Sequence, residues 1–160
     1  MAYEELNFEE YERQCELRRQ ENEKYLKAFQ STLETSGLSR KTIDGHLSNV
    51  DFYLNTFLLR EEPCKMEEGM SGWWVEEYFG DFFIRKCMWS TPGNMKTTAA
   101  SVKKFYKCMA DLEYVDREEY QDMCAYIKEN MKQWQEDCAR YNDPDEDDPF
   151  GDMDKFFDGF

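Results

Sequence analysis

Four lysines cluster on one predicted helix and are the most distinctive group of potential ligand-binding side chains in the sequence. They are Lys96, Lys103, Lys104 and Lys107. Apolar residues of the same stretch recur at steps of four and three, which predicts one buried helix face. These residues are Met95, Ala99, Val102, Tyr106 and Met109. The lysines fall off that apolar line, so the helix also has a basic face. Because the whole chain has a net charge of −15, this local basic face favours a binding module over an enzyme.

The six cysteines and the single histidine do not form a metal-binding or catalytic pattern. No two cysteines have the C-x-x-C spacing of zinc ligands, and His46 has no second histidine to act with it. The sequence also lacks a glycine-rich phosphate loop and a paired cysteine and histidine. We therefore expect no metal, no cofactor and no catalytic residue. His46 is expected in a structural or surface position, and most of the cysteines are expected to be small core residues.

Charge is distributed unevenly along the chain. Residues 1–24 contain 8 acidic and 4 basic residues, residues 25–115 contain 12 and 11, and residues 116–160 contain 15 and 5. The middle of the chain is therefore nearly neutral, and the acidity belongs to the flanks. No apolar run approaches the length of a membrane span, and the first ten residues do not look like a targeting peptide. We expect a cytoplasmic protein without membrane contacts.

The elements that must position the lysines are all predicted to be helices. Helix-capping residues precede five segments with helical periodicity, and glycine or proline separates several of them. The candidate capping residues are Asn7, Ser39, Ser71 or Gly72, Ser90 or Thr91, and Asp116. The sequence therefore predicts an all-α bundle of about five helices. Its parts are a polar, solvated helical extension (1–24), a helical core (25–115), an additional helix (116–141) and a disordered acidic tail (142–160).

Two further expectations concern the connections. Residues 61–72 contain proline, two glycines and five acidic or basic side chains, which predicts a loop before the third helix. Trp73, Trp74 and Trp89 lie in the first turn and at the end of that predicted helix. The favoured interpretation is that they close the ends of the core, and the alternative is that they anchor a partner.

Two blocks of the sequence resemble a known family of DNA-binding domains. The first, Leu26 to Leu59, has an apolar helix, then Gly-Leu-Ser at 37–39, then a helix that ends in Phe57 and Leu58. The second, Val75 to Val115, has a short helix, a Ser-Thr turn and a helix containing Phe-Tyr at 105–106. Together they are similar to the SAM-like core-binding domain of tyrosine recombinases and phage integrases.

The resemblance implies a small helical bundle that clamps one side of duplex DNA with its second and fourth helices. The implied DNA contacts are Arg40, Lys41, Lys96, Lys103, Lys104 and Lys107. The hydroxyls of Ser39, Thr42, Thr97 and Thr98 would donate to phosphates. Contacts of this kind position a protein on DNA and provide little sequence specificity.

The chain departs from the family in two ways. It has no room for the catalytic domain, so we expect a DNA-binding module that cannot itself cut or rejoin DNA. It also adds a fifth, acidic helix, and its net charge opposes phosphate binding. The alternative function is therefore a protein-interaction module. Its acidic surface could mimic DNA towards a basic partner. The oligomeric state stays open.

The last nineteen residues combine acidic side chains with phenylalanines. The phenylalanines are Phe150, Phe156, Phe157 and Phe160. A tail that serves solubility alone needs no aromatic residues, and alternation of acidic and aromatic residues is typical of segments that dock onto a protein surface. We therefore expect this tail to modulate DNA binding or to recruit a protein partner.

Overall fold

All regular secondary structure in residues 7–87 and 89–142, which the computed structural model describes, is helical. The helices are α1 (Phe8–Thr35), α2 (Arg40–Asp51, extended by the π-helical turn Phe52–Phe57), α3 (Gly72–Glu77, Tyr78–Phe82 as a π-helical turn, and Phe83–Lys86), α4 (Pro92–Asp111) and α5 (Arg117–Asn142). The predicted all-α bundle of five helices is confirmed. The predicted disordered tail and its four phenylalanines lie outside the described residues, apart from Asn142.

Side-chain caps begin each of the five helices where the sequence predicts them. In every case an oxygen of the capping side chain accepts a hydrogen bond from a backbone N–H of the first turn, at 2.8–3.3 Å. These caps satisfy N–H groups that have no partner inside the helix. Gly37 ends α1 with a φ of 81°, a left-handed conformation that glycine adopts without strain.

Helix α4 is the central element of the core. It packs against α1, α2 and α5. Its predicted apolar residues are all buried, with relative exposures of 0–1%. Phe105 joins them and meets Phe29 of α1 edge to face, with ring centroids 5.4 Å apart. Because three helices cover the apolar side of α4, its lysines are confined to the remaining face.

Two π-helical turns interrupt the apolar stripes of α2 and α3. The N–H of Leu58 donates to the carbonyl of Tyr53, and the N–H of Phe83 donates to that of Tyr78, so each turn contains one extra residue. The extra residue rotates the following side chains, which lets consecutive apolar residues face the core. As a result, four apolar residues at the end of α2 and directly after it are all buried: Leu54, Phe57, Leu58 and Leu59.

The first part of α1 is mostly exposed, but three contacts anchor it to the end of α2. Cys15 and Asn22 are both 2% exposed, and the Asn22 amide donates to Asn55 at the end of α2 at 2.8 Å. The Tyr11 hydroxyl donates to the carbonyl of Leu59. Residues 7–24, which belong to the predicted polar helical extension, are therefore helical and mostly exposed but anchored to the bundle. The sequence does not show this anchoring, because three widely spaced contacts do not form a continuous apolar stripe.

Residues 61–72, which the sequence predicts as a loop, pack against the core. They contain a 3₁₀ helix, Met66–Met70, that lies over two buried tyrosines. The Tyr53 hydroxyl donates to the carbonyl of Gly69 at 2.7 Å, and the Tyr106 hydroxyl donates to that of Met66 at 2.6 Å. Burial raises the pKa of both tyrosines, so both hydroxyls keep their protons and act as donors.

The four tryptophans differ in burial. Trp134 of α5 is buried, and Trp74 is half-buried and packs edge to face on Phe57, with ring centroids 5.9 Å apart, as expected for a residue that closes the core. Trp73 and Trp89, in contrast, are 67% and 51% exposed. The expectation that Trp73 and Trp89 close the core is therefore wrong, although Trp89 does contact Phe52 edge to face with ring centroids 5.5 Å apart. Five of the six cysteines are buried, and Cys124 is half-buried, as expected for small core residues.

Replacing Gly69 with alanine is expected to destabilise the fold by about 2 kcal/mol. A Cβ at this position would lie 2.8 Å from Leu58 Cδ1 and 2.9 Å from Tyr53 Cε2, and would also overlap the Tyr106 hydroxyl. The measurement is the free energy of unfolding in urea.

Gly45→Ala is the matched control. Gly45 lies within α2, and an added Cβ would have no atom within 4 Å. Alanine there should raise the free energy of unfolding by about 0.5–1 kcal/mol because it favours the helix. Equal effects of the two substitutions would contradict the packing described around Gly69.

Candidate anion-binding groove between α4 and α5

Helices α4 and α5 form an antiparallel pair that is fixed at both ends. At one end, Glu113 adopts a φ of 65°, and the N–H of Tyr114 donates to the carbonyl of Met109 at 2.8 Å. This left-handed residue closes the C-terminus of α4 and reverses the chain within a few residues. At the other end, the Gln135 amide donates to Pro92 at 3.0 Å and the Asn142 amide donates to Ser90 at 2.8 Å. The end of α5 therefore lies beside the start of α4.

A carboxylate on α3 fixes the rotation of α5 about its own axis. Glu76 accepts hydrogen bonds from the Trp134 indole N–H and from the Tyr126 hydroxyl, both at 2.9 Å. The Trp134 ring also stacks on Phe79, with centroids 5.5 Å apart. Gly80 leaves the space that the Glu76 side chain occupies. These contacts hold one side of α5 against α3 and leave another side of α5 free to line a groove with α4.

A groove of about 830 Å³ lies between the two helices. Six lysines line it, four from α4 and two from α5: Lys96, Lys103, Lys104, Lys107, Lys128 and Lys132. Small and apolar residues form its floor: Ala99, Ala100, Cys124, Ala125, Ile127 and Met131. None of the described residues that line the groove is acidic, although the chain contains 35 acidic and 20 basic residues.

Most of the groove lysines have no internal counter-ion. Lys107 pairs with Asp111 at 3.2 Å, and both side chains are exposed, so the pair contributes little stability. Hydrogen bonds from Arg117 first and from Lys107 second hold the pKa of Asp111 below its usual value. The other five lysines form no ion pair within 4.0 Å of any described residue. Their charges are therefore available to a bound anion.

The two basic residues predicted on the second helix do not line this groove. Arg40 pairs with Asp44 at 2.9 Å and with Glu34 at 3.3 Å, and the hydrogen bond that Arg40 donates to Asp44 raises the pKa of Arg40. Lys41 is exposed at the start of α2. Thr98 is 4% exposed, so the expectation that it donates to a phosphate is wrong. The lysines of α4 are instead joined by Lys128 and Lys132 of α5.

Lys128 and Lys132 are not among the binding residues predicted from the sequence. The signal was present, because these lysines are four residues apart and lie off the apolar stripe of the predicted fifth helix. It was obscured because residues 116–160 contain 15 acidic residues and only 5 basic ones. Only the packing of α5 on α4 shows which side of α5 the two lysines share with the groove.

His46 lies on α2 at the α4 surface, next to the groove. Its Nδ1 is 2.7 Å from the hydroxyl of Ser101, which also accepts a hydrogen bond from the Asn49 amide at 3.0 Å. Burial lowers the pKa of His46, and the positive charge of Lys104 lowers it further. The histidine therefore has a structural role at the contact between α2 and α4, as expected from the sequence.

A second pocket, of about 530 Å³, lies between the 3₁₀ helix and α5. Its lining includes four carboxylates, from Glu67, Glu68, Glu119 and Asp122, together with Met70 and Tyr126. Within the described ranges, no group of three or more histidine, cysteine or acidic residues has the geometry to hold a metal ion. Among the same residues, no helix is both long enough and apolar enough to cross a bilayer.

No protein-family model, no curated protein and no solved structure matches this chain.

The pKa of His46 is expected to lie below its usual value of 6.5 and to rise in Lys104→Gln. Because it is the single histidine of the chain, its ring protons give one titration curve by NMR. The unfolded chain binds the proton more tightly than the folded one. Stability linked to His46 is therefore present above the unfolded pKa and declines as pH falls from about 6.5 towards the folded value.

Lys86→Gln is the control for this titration, because Lys86 is exposed at the end of α3 and does not act on the pKa of His46. A His46 pKa that is unchanged by Lys104→Gln, or changed equally by both substitutions, would contradict the described position of Lys104 beside α2.

Proposed function

We propose that this protein is a non-catalytic DNA-binding module that holds the backbone of duplex DNA against the groove between α4 and α5. The observation that supports this most strongly is the convergence of six lysines from two helices on one surface whose described lining contains no carboxylate. In a chain with 35 acidic residues, an ordinary solvent-exposed surface would carry both signs of charge, whereas this one carries only positive charges. The resemblance of residues 25–115 to recombinase core-binding domains supports the same function.

The arrangement of the lysines suits phosphates rather than base edges. On α4, Lys96 and Lys103 are separated by about 10 Å along the axis, and Lys103 and Lys107 by about 6 Å. Lys128 and Lys132 repeat the shorter spacing on α5. Rows of flexible ammonium groups can neutralise several phosphates of a duplex but cannot discriminate base pairs through fixed hydrogen bonds. The proposed binding is therefore largely independent of DNA sequence.

The net charge of −15 limits this binding without preventing it. At physiological ionic strength, charges separated by more than about 8 Å are largely screened from each other. A phosphate in the groove therefore responds mainly to the nearby lysines, whereas the acidic flanks oppose the approach of DNA over longer distances at low salt. Binding should be weak and strongly dependent on salt.

The test is fluorescence anisotropy of a labelled duplex with the full chain over a salt series. If all six lysines neutralise phosphates, the slope of log K against log salt should be about −5. The double variant Lys103→Glu, Lys128→Glu should lower affinity at least about tenfold and reduce the size of the slope by about 2.

Two single-site controls separate the groove from general charge and from α2. Lys86→Glu makes the same charge change as the single variant Lys103→Glu, on an exposed residue outside the groove, and should have little effect. Lys41→Glu tests the DNA contact that the resemblance places on the second helix, and its effect shows whether α2 belongs to the interface. Absence of binding at low salt, or equal losses in Lys86→Glu and Lys103→Glu, would overturn the proposal.

One observation favours a second candidate, the protein-interaction module. The groove has a floor of alanine, isoleucine and methionine side chains, which phosphates do not need. A peptide with acidic and apolar residues would use both the floor and the lysines. Binding of such a peptide without any binding of duplex DNA would favour this function.

A further inference from the structure

The groove between α4 and α5 has two properties that could contribute to binding, and duplex DNA would need only one of them. Its rims are basic, and its floor is apolar, with Ala99, Ala100 and Ala125 leaving room above the helix backbones. Its volume of about 830 Å³ falls within the range of about 300–1,000 Å³ that is usual for sites that enclose a ligand. A ligand that fills it should therefore present both carboxylates and large apolar side chains.

The chain itself contains a segment of that composition outside the described structure. Residues 143–160 include eight aspartates and glutamates, one lysine and four phenylalanines. The charge is opposite to that of the groove, and the aromatic side chains match its apolar floor. No other stretch of comparable length in the sequence combines such a density of acidic residues with four phenylalanines.

The position of α5 brings this segment to the groove. Residue 143 follows directly on Asn142, which is bonded to Ser90 at the start of α4. From there the groove runs back along α5 past Lys132 and Lys128 to Tyr120, about 33 Å from Asn142 at 1.5 Å per residue. Eighteen residues in an extended conformation can span about 60 Å. The segment is therefore long enough to turn back and cover the whole groove.

We propose that residues 143–160 dock in the α4–α5 groove of their own chain, with carboxylates beside the lysines and phenylalanines against the apolar floor. Because the segment is tethered at one end of the groove, docking is intramolecular and has a high effective concentration. The carboxylates also supply the counter-ions that five of the six lysines lack among the described residues.

Docking has a regulatory consequence, which rests on the DNA-binding function proposed above. The segment and the duplex would use the same lysines and could not both occupy them. The apparent affinity for DNA would then be reduced in proportion to the fraction of molecules with a free groove, about tenfold if the segment is docked in nine molecules of ten. The docking itself does not depend on DNA.

The first experiment detects docking without DNA. The full chain is treated with a water-soluble carbodiimide, which joins lysine amines to adjacent carboxylates without a spacer, and the linked peptides are identified by mass spectrometry. Links from residues 143–158 should concentrate on Lys103 and Lys128, which lie well inside the groove. The variant F150S/F156S/F157S/F160S should lose most of these links, whereas F150L/F156L/F157L/F160L, which stays apolar, should retain them.

Lys27, Lys65 and Lys86 are internal controls, because all three are exposed and none lines the groove. Links spread evenly over these lysines and the groove lysines would overturn the proposal. A mixture of isotopically heavy and light protein identifies the chain that supplies the segment. Links mainly between heavy and light chains would show docking onto a second copy and would overturn docking within one chain.

The second experiment separates the two proposals. Anisotropy with a labelled duplex is repeated with the serine and leucine variants of the full chain. Tighter DNA binding by the serine variant than by the leucine variant supports competition for the groove. Groove-specific links without DNA binding by any variant would overturn the DNA-binding function and leave the docking intact. DNA binding that is equal in both variants, without groove-specific links, would overturn the docking and leave the DNA-binding function intact.

Discussion

The burial of one side of α4 is the constraint on which the rest of this structure depends. Met95, Phe105, Tyr106 and Met109 are inaccessible to solvent, and α1, α2 and α5 supply the side chains that cover them. Once that side is buried, the lysines of α4 are left on its remaining face, where they line the groove with α5. The charge separation of the groove is thus a consequence of core packing, because the same contacts that stabilise the bundle prevent the lysines from dispersing.

Much of the fold follows from local signals in the sequence. The caps at Asn7, Ser39 and Thr91 and the apolar stripe of α4 each depend on residues within a few positions of one another, so they are visible without a structure. Features that depend on distant partners are not visible in this way. Asn22 looks like a surface residue until Asn55, 33 residues away, supplies its hydrogen bond. The π-helical turns likewise follow from packing and not from a local motif.

The candidate site also contains some residues that local sequence signals identify and others that only long-range contacts reveal. The sequence predicted the four lysines of α4 as binding residues, since their spacing defines one helix face. It did not connect them with Lys128 and Lys132, because that connection requires the rotation of α5 that Glu76 sets through Trp134 and Tyr126. It also placed Arg40 with the lysines by resemblance, whereas the structure engages Arg40 with Asp44 and Glu34. Periodicity identifies a face within one helix, and long-range contacts determine which faces meet.

The most direct test of the central claim is the rate at which each lysine of the full chain is acetylated, with and without a short duplex at low salt. Bound phosphates shield ammonium groups from the reagent, so Lys103 and Lys128 should react at least about threefold more slowly with the duplex present. Lys65 and Lys86, which are exposed outside the groove, should react at unchanged rates. Equal rates with and without DNA at all four lysines would contradict the account of the groove as the anion-binding surface.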